Sequence, residues 1–347
     1  MTKSKAKPVT LALQGGGAHG AFTWGVLDAL LSDERIAIKG VSGASAGAMN
    51  AVCLAEGMAD GGREGARAQL KRFWTRIGDA GRYSPLQRGL FSKLLGRWGI
   101  ENTPGYIFFD WMSHLASPYE ANPLDLNPLR DVLQEEIDFT KVRACTDLKI
   151  FISATNVHTG RVEVFEQGEL TAAHVLASAC LPTIFRAVEI DGIPYWDGGY
   201  TGNPPLFPLF DVTNGGDLLI VQLNRILRKE LPVTAQQIEN RLNEITFNAS
   251  LLSELRAIEF VQRLLDQGKI EEGHYHRLRL HRIDADKALA KVEPSTKVNA
   301  DPDFIDWLFK RGKAAGEEWI AAHFDDLGTR ATLDVASLVA GRSTNGN

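Results

Sequence analysis

Gly40-Val41-Ser42-Gly43-Ala44-Ser45-Ala46-Gly47-Ala48-Met49-Asn50 is an apolar run that breaks into glycines on either side of Ser45. Gly43-x-Ser45-x-Gly47 has the form of an elbow in which a strand turns sharply into a helix and pushes the middle hydroxyl out of the backbone. The neighbours suit that geometry. Gly43 and Gly47 bring no Cβ into the turn, and Ala44, Ala46 and Ala48 keep the helix start slim. The unpaired N–H groups and dipole of a helix start favour negative charge on the serine oxygen. Ser45 is therefore read as a nucleophile. Glycine and serine are also ordinary turn residues, so the reading needs partners elsewhere in the chain.

Upstream, Pro8 to Gln14 reads as a short buried strand running into Gly15-Gly16-Gly17-Ala18-His19-Gly20. Ala21 to Ser32 follows with Phe22, Val26, Leu27, Leu30 and Leu31 at helical spacing. Ile36 to Val41 is a second strand, and Ala46 to Ala59 the helix after the elbow. This alternation predicts an α/β fold with a central, mostly parallel sheet flanked by helices. The glycine loop matches a dinucleotide fingerprint in spacing, but the second strand ends in Val41-Ser42-Gly43, with no acidic residue for a ribose. No Gly-Lys-Ser/Thr follows the loop, which excludes a P-loop. Two readings remain, a merely tight turn or an oxyanion hole in which the N–H groups of Gly15, Gly16 and Gly17 converge on one oxygen.

Downstream, Asn127 to Ile137 reads as a capped helix, Asp147 to Thr155 as a buried strand with Arg161 to Phe165 as its hairpin partner, and Leu170 to Ala179 as a short helix. Val188 to Ile190 and Ile193 to Trp196 form a hairpin that ends in Asp197-Gly198-Gly199. Asp-Gly is a common turn pair. Here it also sets a carboxylate on a loop that other backbone can approach closely, because Gly198 and Gly199 carry no side chains. Asp217 to Leu223 reads as a strand. Thr234 to Gln267 reads as a long helix with Ile238, Leu242, Ile245, Leu252, Leu255 and Ile258 on one stripe, expected to cover the core. A strand near Arg277 to Arg282 and a final helix from Asp303 to His323 complete the order.

Composition narrows the function. A net charge of -5 makes nucleic acid a poor default partner. Cys53, Cys145 and Cys180 are too widely spaced for a disulfide framework or a metal site and fit a reducing compartment. The basic residues 1–7 precede only a strand-length apolar run, so neither a signal peptide nor a membrane span is expected, and a cytoplasmic location with peripheral lipid contact is. Arg63 to Arg97 is rich in Arg and Lys, and Gly105 to Met112 is the densest aromatic stretch. Together, Arg63–Arg97 and Tyr106–Met112 would suit headgroups and acyl chains, against the plainer reading of a solvated helix followed by a core helix.

The glycine loop at 15–20, the elbow at 43–47 and Asp197-Gly198-Gly199, in that order, resemble the motifs of the patatin-like phospholipases. Ala177-Ser178-Ala179-Cys180-Leu181-Pro182 is similar to the family's segment before its aspartate. The likeness implies a patatin-like three-layer architecture over residues 8–223, with 224–340 a mainly helical extension packed on this core and 341–347 a disordered tail. It implies a lipid acyl hydrolase of phospholipase A or carboxylesterase type in which Asp197 is the base for Ser45, with no histidine between them and no cofactor or metal. One position departs from the pattern. The family commonly has Arg or Lys where this chain has His19, which puts a fixed charge at the oxyanion site in question.

Other readings compete. A Ser-Asp-His triad would draw on His274, His276, His281 or His323, all downstream of Asp197, whereas His114, His158 and His174 have the wrong order. The same dyad would serve a thioesterase or a polyester depolymerase. A non-catalytic lipid-binding relative would need neither Ser45 nor Asp197.

Overall fold

The computed structural model describes residues 6–82, 98–99, 116–271, 275–290 and 292–341. Tyr106–Met112, the part of the basic stretch from 83 to 97, His114, His274 and the tail from 342 onward lie outside the described residues.

The elements, in chain order, are β1 (Lys7–Leu13), α1 (Gly20–Ser32), β2 (Ile36–Gly43), α2 (Ala46–Gly81), α3 (Pro118–Ala121), α4 (Pro128–Glu136), α5 (Phe139–Ala144), β3 (Lys149–Asn156), β4 (Val162–Glu166), α6 (Ala172–Ser178), β5 (Val188–Ile190), β6 (Ile193–Asp197), α7 (Phe210–Thr213), β7 (Asp217–Gln222), α8 (Ala235–Asp266), β8 (Arg279–Asp284), α9 (Pro302–His323) and α10 (Val335–Val339). One sheet carries all the strands in the order β5-β6-β3-β2-β1-β7-β8, with β4 also on β3. From β3 to β8 the neighbours run parallel, and β4, β5 and β6 pair antiparallel. The architecture is the expected mixed, mostly parallel sheet between helical layers.

Side-chain alternation along the strands builds the layers. In β7, Leu219 and Val221 join the larger core with α1, α2 and α9, while Leu218 and Ile220 join a second core with Leu251, Leu255 and Ile258 of α8. β1 lies between β2 and β7, and its apolar residues are buried on both sides, as a parallel strand requires. The sheet runs past residue 223, since β8 pairs with β7, and α9 packs along α1.

Three expectations change. The helix after the elbow continues to Gly81, broken at Gly61 and Gly62, because Gly62 takes a left-handed φ of 61° that halts regular hydrogen bonding. The stripe on α8 divides: Leu255 and Ile258 are buried, whereas Ile238, Leu242 and Ile245 are exposed. The helix outruns the sheet that it covers, so only its second half meets the second core. Finally, α9 is followed by α10, whose Val335 and Leu338 close that core.

Candidate active site

β2 delivers Ser45 to the end of the sheet and α2 starts at the next residue. Ser45 holds φ 53°, ψ -120°, a conformation that non-glycine residues rarely adopt and that packing on every side must maintain. A side chain at Gly47 would strike the Leu13 carbonyl, and one at Gly43 would meet the Gly47 backbone 2.5 Å away. Ser45 itself is 8% exposed.

Asp197 ends β6 and is 1% exposed. Its Oδ1 accepts the Gly199 N–H at 2.7 Å, and the Ser45 side chain is near enough to lower the same carboxyl. Burial pushes this carboxyl up to about 7, while the Gly199 N–H, the Ser45 hydroxyl and the Lys297 ammonium pull it down. Gly198 lies against the Ser153 carbonyl and Gly199 under the Phe247 ring, so both glycines admit close neighbours. The backbone that carries Asp197 is held by Thr155, whose hydroxyl donates to the Asp197 carbonyl at 2.8 Å.

The segment before the aspartate grips both residues. Ser178 Oγ accepts the Ser45 N–H at 2.9 Å, and the Cys180 carbonyl accepts the Asp197 N–H at 2.8 Å. Cys180 itself is buried, with its thiol pushed up to about 12, and serves as packing.

Gly15 stands over Ser45, since a Cβ there would lie 2.8 Å from that of Ser45. Its N–H donates to Asn203 Oδ1 at 2.7 Å, which removes Gly15 from the expected set of oxyanion donors. Among the described residues the N–H groups of Gly16 and Gly17 have no acceptor, and Gly17 has φ +58°. The loop is carried by buried amides. Gln14 accepts the Leu223 and Asn224 N–H groups at 2.8 and 2.7 Å and donates to Asn248 Oδ1 at 2.9 Å. Asn224 donates to the Gly15 carbonyl at 2.8 Å, and Asn203 donates to the Phe247 carbonyl at 3.0 Å.

These amides are absent from the sequence reading. Gln14 does carry a signal, a polar residue directly after an apolar strand; Asn203, Asn224, Asn248 and Lys297 carry none.

The histidines serve elsewhere. His19 is buried, and Nε2 lies 2.8 Å from Thr296 Oγ1, whose own proton goes to the Glu293 carbonyl. His19 therefore donates from Nε2, and burial with the nearby Lys297 lowers it to about 3, so it is neutral. His281 is buried between Asp217 and Thr332, at 2.9 and 3.0 Å. His174 caps α6 through Thr171, and His323 pairs with Asp326. No described histidine hydrogen-bonds to Ser45 or Asp197.

The described part of the basic stretch is not a free cationic face. Arg63 donates to the carbonyls of Leu30, Leu31, Asp33 and Ile36; Arg67 pairs with Asp28, Arg72 with Glu136, Arg76 with Glu135 and Arg82 with Asp79. Arg63 and Arg67 thereby tie α2 to the end of α1 and Arg72 and Arg76 tie it to α4, so these four cations of the stretch are engaged within the protein. Among the described residues no cluster of His, Cys, Asp and Glu could hold a metal, and no helix is long and apolar enough to cross a membrane.

Among solved structures, the chain is similar to VipD from Legionella pneumophila (15% identity, 88% of this chain and 67% of that one, TM-score 0.35). It is also similar to a chain of the heterodimeric ExoU–SpcU complex of the Pseudomonas aeruginosa type III secretion system (16% identity, 89% and 52%, TM-score 0.34), of which it spans about half the length. At these TM-scores neither likeness carries weight for the site. No curated protein matches the chain. The patatin-like phospholipase family model matches residues 11–210, more than half of the 347 residues, and that range holds the glycine loop, the elbow, the Ser178 segment and Asp197. The chain belongs to the patatin-like phospholipase family.

Proposed function

We propose that this protein is a lipid acyl hydrolase that cleaves carboxylic esters through an acyl-enzyme on Ser45, with Asp197 as the base. The observation that carries this reading is the pairing of a strained, nearly enclosed serine with a buried carboxylate that is raised to about 7 by burial and that feels the serine side chain. An ordinary carboxylate is a poor base for a serine hydroxyl; one raised by burial to near neutral pH is matched to the task.

In the proposed course, Asp197 takes the Ser45 proton as Oγ attacks the ester carbonyl carbon. The Gly16 and Gly17 N–H groups and the start of α2 share the charge on the tetrahedral oxygen. The carbon–oxygen bond to the alcohol breaks, and that alcohol leaves with the proton from Asp197. Water then attacks the acyl-serine, gives its proton to Asp197, and the fatty acid departs as Ser45 regains its hydrogen.

Lipid approach is supported by the segment from 227 to 245. It exposes Leu227, Leu231, Val233, Ile238, Leu242 and Ile245, and it leads directly into Phe247 and Asn248 beside the glycine loop. A groove of about 270 Å³ lined by Ile226, Ile245 and Leu252 reaches Asn248.

Fluorophosphonate labelling tests the chemistry, and a hydrolysis screen over phospholipids, acylglycerols, p-nitrophenyl esters and acyl-CoAs tests the leaving group. Wild-type protein is expected to label. Ser45→Ala should not label, and Ser45→Ala and Asp197→Asn should both lack hydrolysis. An unreactive Ser45 in folded protein would favour a lipid-binding relative, and turnover confined to acyl-CoAs a thioesterase.

A further inference from the structure

Lys297 reaches the catalytic region from outside the matched residues 11–210. It sits in a short 3-10 helix, Pro294–Val298, that lies against the glycine loop, its carbonyl filling the space a Gly17 side chain would need. The ammonium donates to Asn224 Oδ1 at 2.6 Å and stands 5.3 Å from the centre of the Phe247 ring. Both contacts are part of the site, since Asn224 holds the Gly15 carbonyl and Phe247 covers Gly199. The preceding residue, Thr296, is the partner of His19. One short segment thus keeps position 19 neutral and places a cation beside the same loop.

We infer that Lys297 is the positioning cation of the catalytic pair, favouring the ionised form of Asp197 and supplying the positive charge that His19 does not. This rests on the reading of Ser45 and Asp197 as the catalytic pair. The charged and titratable groups facing Lys297 are Asp197, Glu244, Arg228 and neutral His19, and Glu244 is itself clamped by Arg228 and Arg241. Burial brings the ammonium down to about 8, against the opposing pull of Glu244 and Asp197. Asp197 thus gains its charge on the acid side and Lys297 loses its own on the alkaline side, so the rate should fall at both ends of the pH range.

The test is kcat/KM for a short p-nitrophenyl ester between pH 5 and 10, with melting temperature measured alongside, for wild type, Lys297→Met and Lys297→Arg. Lys297→Met should lose on the order of tenfold at pH 7, mainly in kcat, with its acid limb moved to higher pH as Asp197 loses a neighbouring cation. Lys297→Arg should restore most of the rate and carry the alkaline limb beyond the range, because guanidinium stays charged. A purely structural lysine would lower the rate evenly at every pH, so unmoved limbs in Lys297→Met overturn the inference. If Lys297→Met fails to fold, an alkaline limb still near 8 in Lys297→Arg does the same. Hydrolysis that survives in Ser45→Ala overturns the parent reading instead.

Discussion

The hydroxyl of Ser178 accepts the backbone N–H of Ser45 at 2.9 Å, and both residues are buried. This contact helps to hold the proposed nucleophile in its left-handed conformation, because an elbow free to relax would turn Oγ away from Asp197. Ser178→Ala leaves a buried N–H without an acceptor, at about 1–3 kcal/mol. We expect a lower melting temperature and a kcat reduced on the order of tenfold or more with KM little changed. Steady-state kinetics on folded protein check this; a rise in KM at unchanged kcat would place Ser178 in substrate binding instead.

Asp197 carries a stability cost that depends on pH. Its folded-state value lies above the ordinary 3.8, at about 7, so the unfolded chain gives up this proton more readily and folding is penalised once the carboxylate is ionised. The difference corresponds to on the order of 4 kcal/mol. Asp197→Asn should be inactive yet more stable than wild type, with the full gap above pH 7, closing as pH falls from about 7 to about 4. Denaturant melts at pH 8 and pH 5 read this directly, and a gap that widens toward acid would refute it.

His281 lies downstream of Asp197, as a triad histidine would, but it is locked between Asp217 and Thr332 with its ring edge-on to Trp319. His281→Ala should destabilise the protein by roughly 2–4 kcal/mol, since it strips a buried partner from Asp217. Ester hydrolysis per folded molecule should stay within about twofold of wild type, because distant sites act independently. Loss of acyl-enzyme formation in this variant would move the base from Asp197 to a histidine.

The motifs that build the centre were legible because each is local. A strand, a glycine run, a helix and an elbow follow one another within residues 7–60, and the periodicities of β1, α1 and β2 are set by neighbours in sequence. The amide scaffold was not legible, because Gln14, Asn203, Asn224 and Asn248 meet only after the sheet has brought β1 beside β7 and α8 across their ends. Donor use was hidden for the same reason. Nothing local to Gly15 says that its N–H is already taken by Asn203. The α8 stripe shows the opposite failure: its apolar period is real at 238, 242 and 245, but period alone does not say where the underlying sheet ends.

The order in which the chain is made has its own consequence. Ser45 leaves the ribosome early, whereas Asp197, the Asn224 that steadies the glycine loop and Lys297 all come later, the last of them 252 residues after the serine. At about 5–20 residues per second, a nascent chain carries the proposed nucleophile for roughly 13–50 seconds before every group around it exists. Until Asp197 is made, the serine lacks the base proposed for it, and until Lys297 is made the proposed site lacks the cation beside its glycine loop. The proposed pair is thus completed late in synthesis, from segments far apart in the chain.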